Sequence, residues 1–122
     1  MAKIFLDTNY FIDAIHRKPE IEILEFYVNN SIYISPLSIH IYCYVFKIKI
    51  PNDKLIVQKA KFQIVEFTED IADRALQGPT NDYEDNVQLH SAADAECDLF
   101  LTEDKALLAM KFFGKVTIDQ KI

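Results

Sequence analysis

Glycine and proline are scarce in this sequence, two and four among 122 residues. A chain so poor in turn and linker residues has little room for long irregular stretches, and no repeat, low-complexity tract or linker divides it. It reads as one domain spanning residues 1–122, long enough to bury a sizeable core. Cysteine is equally sparse. Cys43 and Cys97 form no CxxC pair and no dense spacing, which excludes a thiolate metal site and a disulfide-stapled secreted scaffold. Both sit in apolar surroundings and read as ordinary buried thiols. No apolar run reaches membrane-spanning length. Met1-Ala2-Lys3 leads at once into a strand-like run rather than a signal peptide, so the expected location is the cytoplasm, with no membrane partner. Basic residues are also in deficit, 13 against 19 acidic, for a net charge of −6. That is the wrong sign for gripping nucleic acid over a broad surface. It suits a solubility charge, or carboxylates gathered around a hard divalent cation.

What the sequence has in quantity is apolar side chains, half of all residues, with 12% aromatic; disorder is excluded on composition. The apolar runs are short and alternate with helical patterns. Strands are expected at 3–6, 32–34, 63–67, 98–101 and 115–118. Helices are expected at 10–15, capped by Asn9, and at 20–28, 37–47, 54–61, 68–76, 82–95 and 103–110. This order predicts an α/β fold of three layers, α/β/α, around a central parallel sheet of five strands. Ligands of such sheets sit beyond the carboxyl ends of the strands.

Acidic residues fall where that rule points. Phe5-Leu6-Asp7-Thr8-Asn9 ends the first strand in a carboxylate flanked by a hydroxyl and an amide. Leu101-Thr102-Glu103-Asp104 ends the fourth in the same way. Between them, Asn81-Asp82-Tyr83-Glu84-Asp85 opens a helix. Helix capping and the helix dipole account for Asp82 and Glu84, and singly for Asp7 and Asp104. Asp85 is different: Leu89 and Ala93 follow it at i+4 and i+8, so it lies on or beside the face packed on the sheet. An acid there costs stability without a partner or cation. Three converging carboxylates stay ionised at neutral pH only around a cation. Mg²⁺ or Mn²⁺ fits their oxygen ligands, and such ions activate water for phosphodiester hydrolysis.

These segments resemble the PIN domain family, the metal-dependent ribonuclease fold that includes the VapC-like toxins of toxin–antitoxin pairs. Ile4–Asn9 is similar to its opening "hydrophobic-Asp-Thr-Asn", Glu84–Ala92 to its "E-D-A-x-Q-x-x-S-A" helix, and Leu101–Asp104 to its "hydrophobic-T-x-N/D". The resemblance implies an endoribonuclease of toxin type, with Asp7, Asp85 and Asp104 as catalytic metal ligands. Asn9 and Thr102 would orient them beside Thr8, and Asp82 and Glu84 would be outer ligands. It further implies an RNA substrate, a small antitoxin partner and a homodimer. One position departs from the pattern. The toxin-like members carry "S-x-x-T/S-x-x-E" after strand two, whereas Ser35 and Ser38 are followed here by Ile41. Some subgroups with the E-D helix also lack that Glu. The alternative function is therefore a weakly active or inactive PIN-fold module that binds a partner protein or RNA.

The remaining features are less specific. The helix carrying Ile39, Tyr42, Tyr44 and Phe46 is apolar nearly all round, as a buried central helix or a partner surface would be. His40 on it is a structural histidine by default, and otherwise a ligand or an RNA contact. Arg17 and Lys18 follow the Asp7 loop closely and are the first candidates for an RNA path. Two other classes place aspartates at strand ends. A haloacid-dehalogenase-type phosphatase needs a second Asp where Asn9 stands. A response-regulator receiver needs an acidic pair after strand one and a phospho-accepting Asp after strand three, where Thr68 follows Phe67.

Overall fold

The computed structural model describes residues 1–17 and 29–122. Strand β1 (Ala2–Leu6) is the centre of the molecule. It pairs in parallel with β2 (Asn30–Ile34) on one side and with β4 (Leu99–Leu101) on the other. Strand β3 (Gln63–Ile64) extends the sheet beyond β2, and β6 (Val116–Asp119) beyond β4, both in parallel. A short β5 (Phe112–Phe113) runs antiparallel to β6 and completes the order β3-β2-β1-β4-β6-β5.

Ile4, Phe5 and Leu6 have no exposed surface, because helices cover both faces of the strand that carries them. Ile4 and Leu6 point into one core with Phe11, Ile12, Ile34 and Tyr42. Phe5 points into the other with Leu89, Leu107 and Ile118, and stacks on Phe100 at 5.5 Å. This is the period-two reading of a fully buried strand. Each such side chain contributes about 1.5–3 kcal/mol by leaving water, which makes β1 a rigid support for the residues beyond its end.

The helices are α1 (Thr8–Ile12), continued by a π-helical turn at Asp13–Arg17, α2 (Pro36–Val45), α3 (Asp53–Lys59), α4 (Glu69–Ala75), α5 (Tyr83–Asp94) and α6 (Lys105–Met110). Among the described residues, no helix is long and apolar enough to cross a membrane.

The three-layer α/β architecture is the expected one, and three details correct it. The sheet has six strands rather than five. β5 is two residues long, too short to show any periodicity, and turns back at Gly114, whose φ of +60° suits a tight two-residue hairpin turn. The first helix is capped by Asp7 rather than Asn9: the Asp7 backbone is extended and its carboxylate accepts from Tyr10 N. Strand β3 is confined to Gln63–Ile64, because its partner β2 ends at Ile34, whose carbonyl takes the last bond from Val65 N at 3.0 Å. The helix expected at 20–28, and Lys18, lie outside the described residues.

Chain order sets the position of the site. From β1 the chain builds outward through β2 and β3, then returns to the other side of β1 for β4. The β1–β4 boundary is the switch point at which such sheets open a crevice beyond their carboxyl ends.

Candidate metal centre

Leu6 and Leu101 are register partners at the ends of β1 and β4. The chain keeps this pairing one residue further: Asp7 N donates to Leu101 O at 3.1 Å, and Thr102 N to Asp119 O at 3.1 Å. Asp7 and Thr102 thus leave the sheet side by side. The fully buried Thr102 hydroxyl donates to Asp7 Oδ2 at 2.6 Å and accepts from Asp104 N at 3.0 Å. Asp7 Oδ1 accepts from Tyr10 N at 2.7 Å. Both carboxylate oxygens of a residue only 6% exposed are therefore fixed. Asp104 caps α6 with a single oxygen, Oδ1, which accepts from Ala106 N at 2.8 Å and Leu107 N at 3.1 Å.

The third acid arrives on α5, and Asn86 sets the start of that helix. The Asn86 side chain donates to Ala75 O and Thr80 O, each at 2.9 Å, and accepts from Thr80 N at 2.8 Å and Thr80 Oγ1 at 2.6 Å. All its polar capacity goes into tying α5 to the preceding loop. Asp82 caps the helix by accepting from Asp85 N at 3.0 Å, and Val87 packs on Ile71 and Ala75 of α4.

Asp7, Asp85 and Asp104 line one cleft of about 300 Å³ at the carboxyl ends of β1 and β4. Thr8, Asn9, Asp13, Arg17, Glu84, Gln88 and Glu103 complete its wall. Six of these ten residues are acidic against one arginine, so the negative charge of the chain is concentrated where the sheet opens. Thr8 is buried and shares a 2.9 Å hydroxyl contact with Ser38 of α2. Arg17 pairs with Asp13 at 3.0 Å and lies over the Phe46 ring.

The electrostatics show uncompensated charge. Burial pushes the Asp7 carboxyl up to about 6 against the pull of Thr102 and Tyr10 N, with Glu84 and Asp104 adding repulsion. Asp85 rises to about 7, first through burial, then through the charges of Asp82, Asp104, Glu84 and Asp7. Asp7 and Asp85, on separate elements, both feel Glu84 and Asp104, and Asp85 also feels Asp7, as convergence on one site requires.

Whether the residues fit a metal can be judged from the donors. Among the described residues, no three His, Cys, Asp or Glu side chains close a metal shell by themselves. A hydrated hard cation does not need them to: Mg²⁺ keeps several waters and is held by one or two carboxylates. Among the described residues the cleft offers carboxylate, hydroxyl and amide oxygens and no thiolate or imidazole, and Gln88 Oε1 at its wall is a buried acceptor with no donor among them. An oxygen-only, electron-rich set short of positive charge suits Mg²⁺ or Mn²⁺.

A model of the PIN domain matches residues 4–112. The chain belongs to the PIN domain family. The family carries the general class, a nuclease fold, and its solved members show the same architecture. A chain of VapBC2 from Rickettsia felis, determined bound to a DNA fragment from its promoter, superposes with a TM-score of 0.69 at 16% identity over 96% of this chain and 97% of that one. DNA-bound VapBC from Salmonella typhimurium gives 0.66 at 21% identity over 98% of both chains. VapC20 of Mycobacterium tuberculosis, a toxin that cleaves the sarcin–ricin loop, gives 0.63 at 11% identity over 93% and 98%. Among curated proteins nothing matches by sequence.

In this PIN chain the residues named from sequence separate into groups. Asp7, Asp85, Asp104, Thr8, Asn9, Glu84 and Arg17 share the cleft, and Thr102 reaches it through Asp7. Asp82 stays outside as a helix cap. His40 is exposed on α2 and stacks against Tyr44, away from the acids. Asp13, Glu103, Asn86 and Gln88 were not anticipated. For Gln88 the signal was the Gln of the "E-D-A-x-Q-x-x-S-A" pattern, and Asn86 stands where that pattern has Ala.

Proposed function

We propose that the protein is a Mg²⁺- or Mn²⁺-dependent endoribonuclease, with Asp7, Asp85 and Asp104 holding the cation. The observation that carries this reading is the meeting of those three acids, from β1, α5 and the end of β4, in one cleft at the switch point of the sheet. When bound, the cation supplies Lewis-acid activation of water and stabilisation of the leaving oxygen. The chain's own groups do the rest. Thr102 and Tyr10 N fix the Asp7 carboxylate in orientation. Asp85, in the first turn of α5, presents its carboxylate to the same cleft, where burial and the neighbouring acids favour a cation beside it. Arg17, the cleft's single basic wall residue among the described ones, is placed to meet a phosphate.

RNA is the substrate of this reading, supported by the chain's membership of the PIN family, and the acidic surface restricts the contact to a short segment near the cleft rather than a long duplex. A toxin role, with a small antitoxin protein as partner in the cytoplasm, accounts for a second feature. Tyr44 and Val45 on α2, with Ile50, Ile56 and Val57 nearby in sequence, are 58–78% exposed, an apolar surface of the kind that partners or a second copy cover. Cleavage of single-stranded RNA with Mn²⁺, lost in Asp7→Asn while the fold persists, is the expected result. Unchanged cleavage in that variant would sink the proposal. No cleavage of any RNA together with stable capture of a partner protein would favour an inactive binding module, the reading that Ile41 motivates.

A further inference from the structure

The cleft does not end at the acids. Arg17, its basic wall residue among those described, closes the π-helical turn Asp13–Arg17 that follows α1. Its guanidinium pairs with Asp13 at 3.0 Å and lies 5.7 Å over the Phe46 ring, with 45% of the side chain exposed. His16, the preceding residue, is exposed as well, yet it is held as firmly as a core ring. It packs at 4.5 Å on Phe46 and edge-on to Tyr42 at 5.5 Å. Its Nδ1 shares a 2.9 Å hydrogen bond with the Tyr42 hydroxyl. Tyr42 and the half-buried Phe46 are themselves in contact on one side of α2. Two planar groups, an imidazole and a guanidinium, are therefore mounted on an aromatic base at the rim of the cleft.

Satisfying the hydroxyl of the buried Tyr42 accounts for a polar atom at position 16, which Asn or Gln would also supply. It does not account for a rigid ring exposed to solvent. Charge singles out the same place. The chain has 19 acids, yet residues 29–52 hold none. No acid therefore lies on α2 or in the loop after it, and Lys47 and Lys49 stand exposed directly beyond Phe46. An acidic surface repels a phosphate chain; a strand leaving the cleft past Arg17 and His16 meets an acid-free face instead. Tyr44, on the apolar surface assigned to a partner, is two residues from both Tyr42 and Phe46 and so points to the opposite side of α2.

Building on the RNA-cleaving reading above, we propose that His16 and Arg17 form a nucleotide subsite beside the acidic cleft, in which a base stacks on the His16 ring and Arg17 meets the adjoining phosphate. Phe46 and Tyr42 hold the two groups in place. Single-stranded RNA is the chemistry that fits, because only an unpaired base offers its face for stacking. Stacking is tolerant of sequence. The subsite therefore fixes where a strand lies across the acids, and not which base is read.

The test is fluorescence anisotropy at low salt, in EDTA to prevent cleavage, with a labelled single-stranded oligoribonucleotide of about ten nucleotides and its abasic counterpart. The wild-type chain is expected to bind the base-bearing strand about tenfold more tightly, the scale of one stacked base. His16→Asn keeps a partner for Tyr42 and removes the ring, so the preference should vanish while abasic binding stays within about twofold. His16→Phe keeps a ring without the hydrogen bond and should retain most of the preference. Arg17→Gln should weaken both strands alike and lower the salt dependence by about one counterion. In cleavage with Mn²⁺, His16→Asn should raise KM about tenfold and leave kcat nearly unchanged. Thermal melting verifies that each variant folds. The reverse pattern, His16→Asn like wild type and His16→Phe impaired, would make His16 a structural partner of Tyr42 and overturn the proposal. So would equal affinity of the wild-type chain for the two strands, or a fall in kcat alone. If the wild-type chain cleaves RNA and His16→Asn does so with wild-type KM, only this inference fails. If the wild-type chain neither binds nor cleaves RNA, the RNA reading falls with it.

Discussion

Thr102 donates its hydroxyl hydrogen to Asp7 Oδ2 at 2.6 Å and, with the same oxygen, accepts from the backbone of Asp104 at 3.0 Å. One buried hydroxyl therefore couples the acid after β1 to the acid after β4. Thr102→Val keeps the shape and removes both bonds. The variant is expected to lose about 1–3 kcal/mol in urea unfolding, as a buried carboxylate and a backbone N–H each lose a partner. Cation affinity should drop about tenfold or more. Thr102→Ser, which keeps the hydroxyl, should stay close to wild type in affinity. Equal behaviour of Val and Ser in metal titration would show that the hydroxyl does not orient the site.

The raised carboxyls make stability depend on pH in an unusual direction. Asp7 titrates near 6 when folded against 3.8 when unfolded. Over that interval the folded chain holds a proton that the unfolded chain has lost, so the contribution of Asp7 to stability falls as pH rises. A rise of that size corresponds to roughly 2–3 kcal/mol, lost between about pH 4 and pH 7; Asp85 works in the same sense. The cation-free protein should therefore be more stable near pH 5 than at pH 7.5. Mn²⁺ should remove most of that difference, and Asp7→Asn should reduce it without metal, the part due to Asp85 remaining. A melting temperature that climbs from pH 5 to 7.5 without metal, equally in wild type and Asp7→Asn, would contradict this.

The parts of this site that the sequence reveals are those fixed by strand ends. A buried apolar run that stops at Asp7 or at Thr102 announces both the strand and the edge where its carboxylate emerges, because backbone pairing leaves no freedom in between. Roles on helices are harder to read. Asp82 and Asp85 look alike three residues apart, yet one caps and the other enters the cleft. The spacing of Leu89 and Ala93 marks Asp85 in the sequence, and the rotation of α5 against α4, fixed by Asn86 and Val87, carries it into the cleft. Gln88 reads in the sequence as no more than a letter of the family pattern, and only its amide on Glu84 gives it a role. Strand β5 is illegible because two residues carry no period. His40 illustrates the opposite case: its chemistry is suggestive, and its position on the exposed side of α2 removes it from the acids.

Asn86 offers a structural test independent of metal chemistry. Its four bonds to Ala75 and Thr80 carry the link between the loop and α5. Asn86→Leu leaves buried backbone groups unpaired and should cost on the order of 2–4 kcal/mol by chemical denaturation. Hydrogen exchange should show the added opening concentrated in residues 76–86. A variant as stable as wild type would mean that α5 is positioned by its packing on α4 alone.

The apolar surface around Tyr44 predicts a separation of functions. Tyr44 is 78% exposed and Ile56 60%, and neither lines the acidic cleft. Tyr44→Glu together with Ile56→Glu should leave cleavage and stability near wild type, since exposed side chains contribute little to the fold. Association with a second copy or a partner protein, followed by light scattering and co-purification, should weaken at least tenfold. Loss of cleavage with association intact would reverse the assignment of the two surfaces.

Asp104 permits the cleanest distinction between a cap and a ligand. Its Oδ1 already serves Ala106 N and Leu107 N, and asparagine caps helices about as well as aspartate. Asp104→Asn should therefore leave unfolding free energy within about 0.5 kcal/mol of wild type, whereas Asp104→Ala should lose about 1 kcal/mol more. Under the proposed function, cleavage depends on the charge and not on the cap. Both variants should fall by roughly 10²-fold or more in kcat, the scale of about 3 kcal/mol in the barrier. If Asn retained full activity and only Ala lost it, Asp104 would be a helix cap at the rim of the site, and the cation would rest on the acids of β1 and α5.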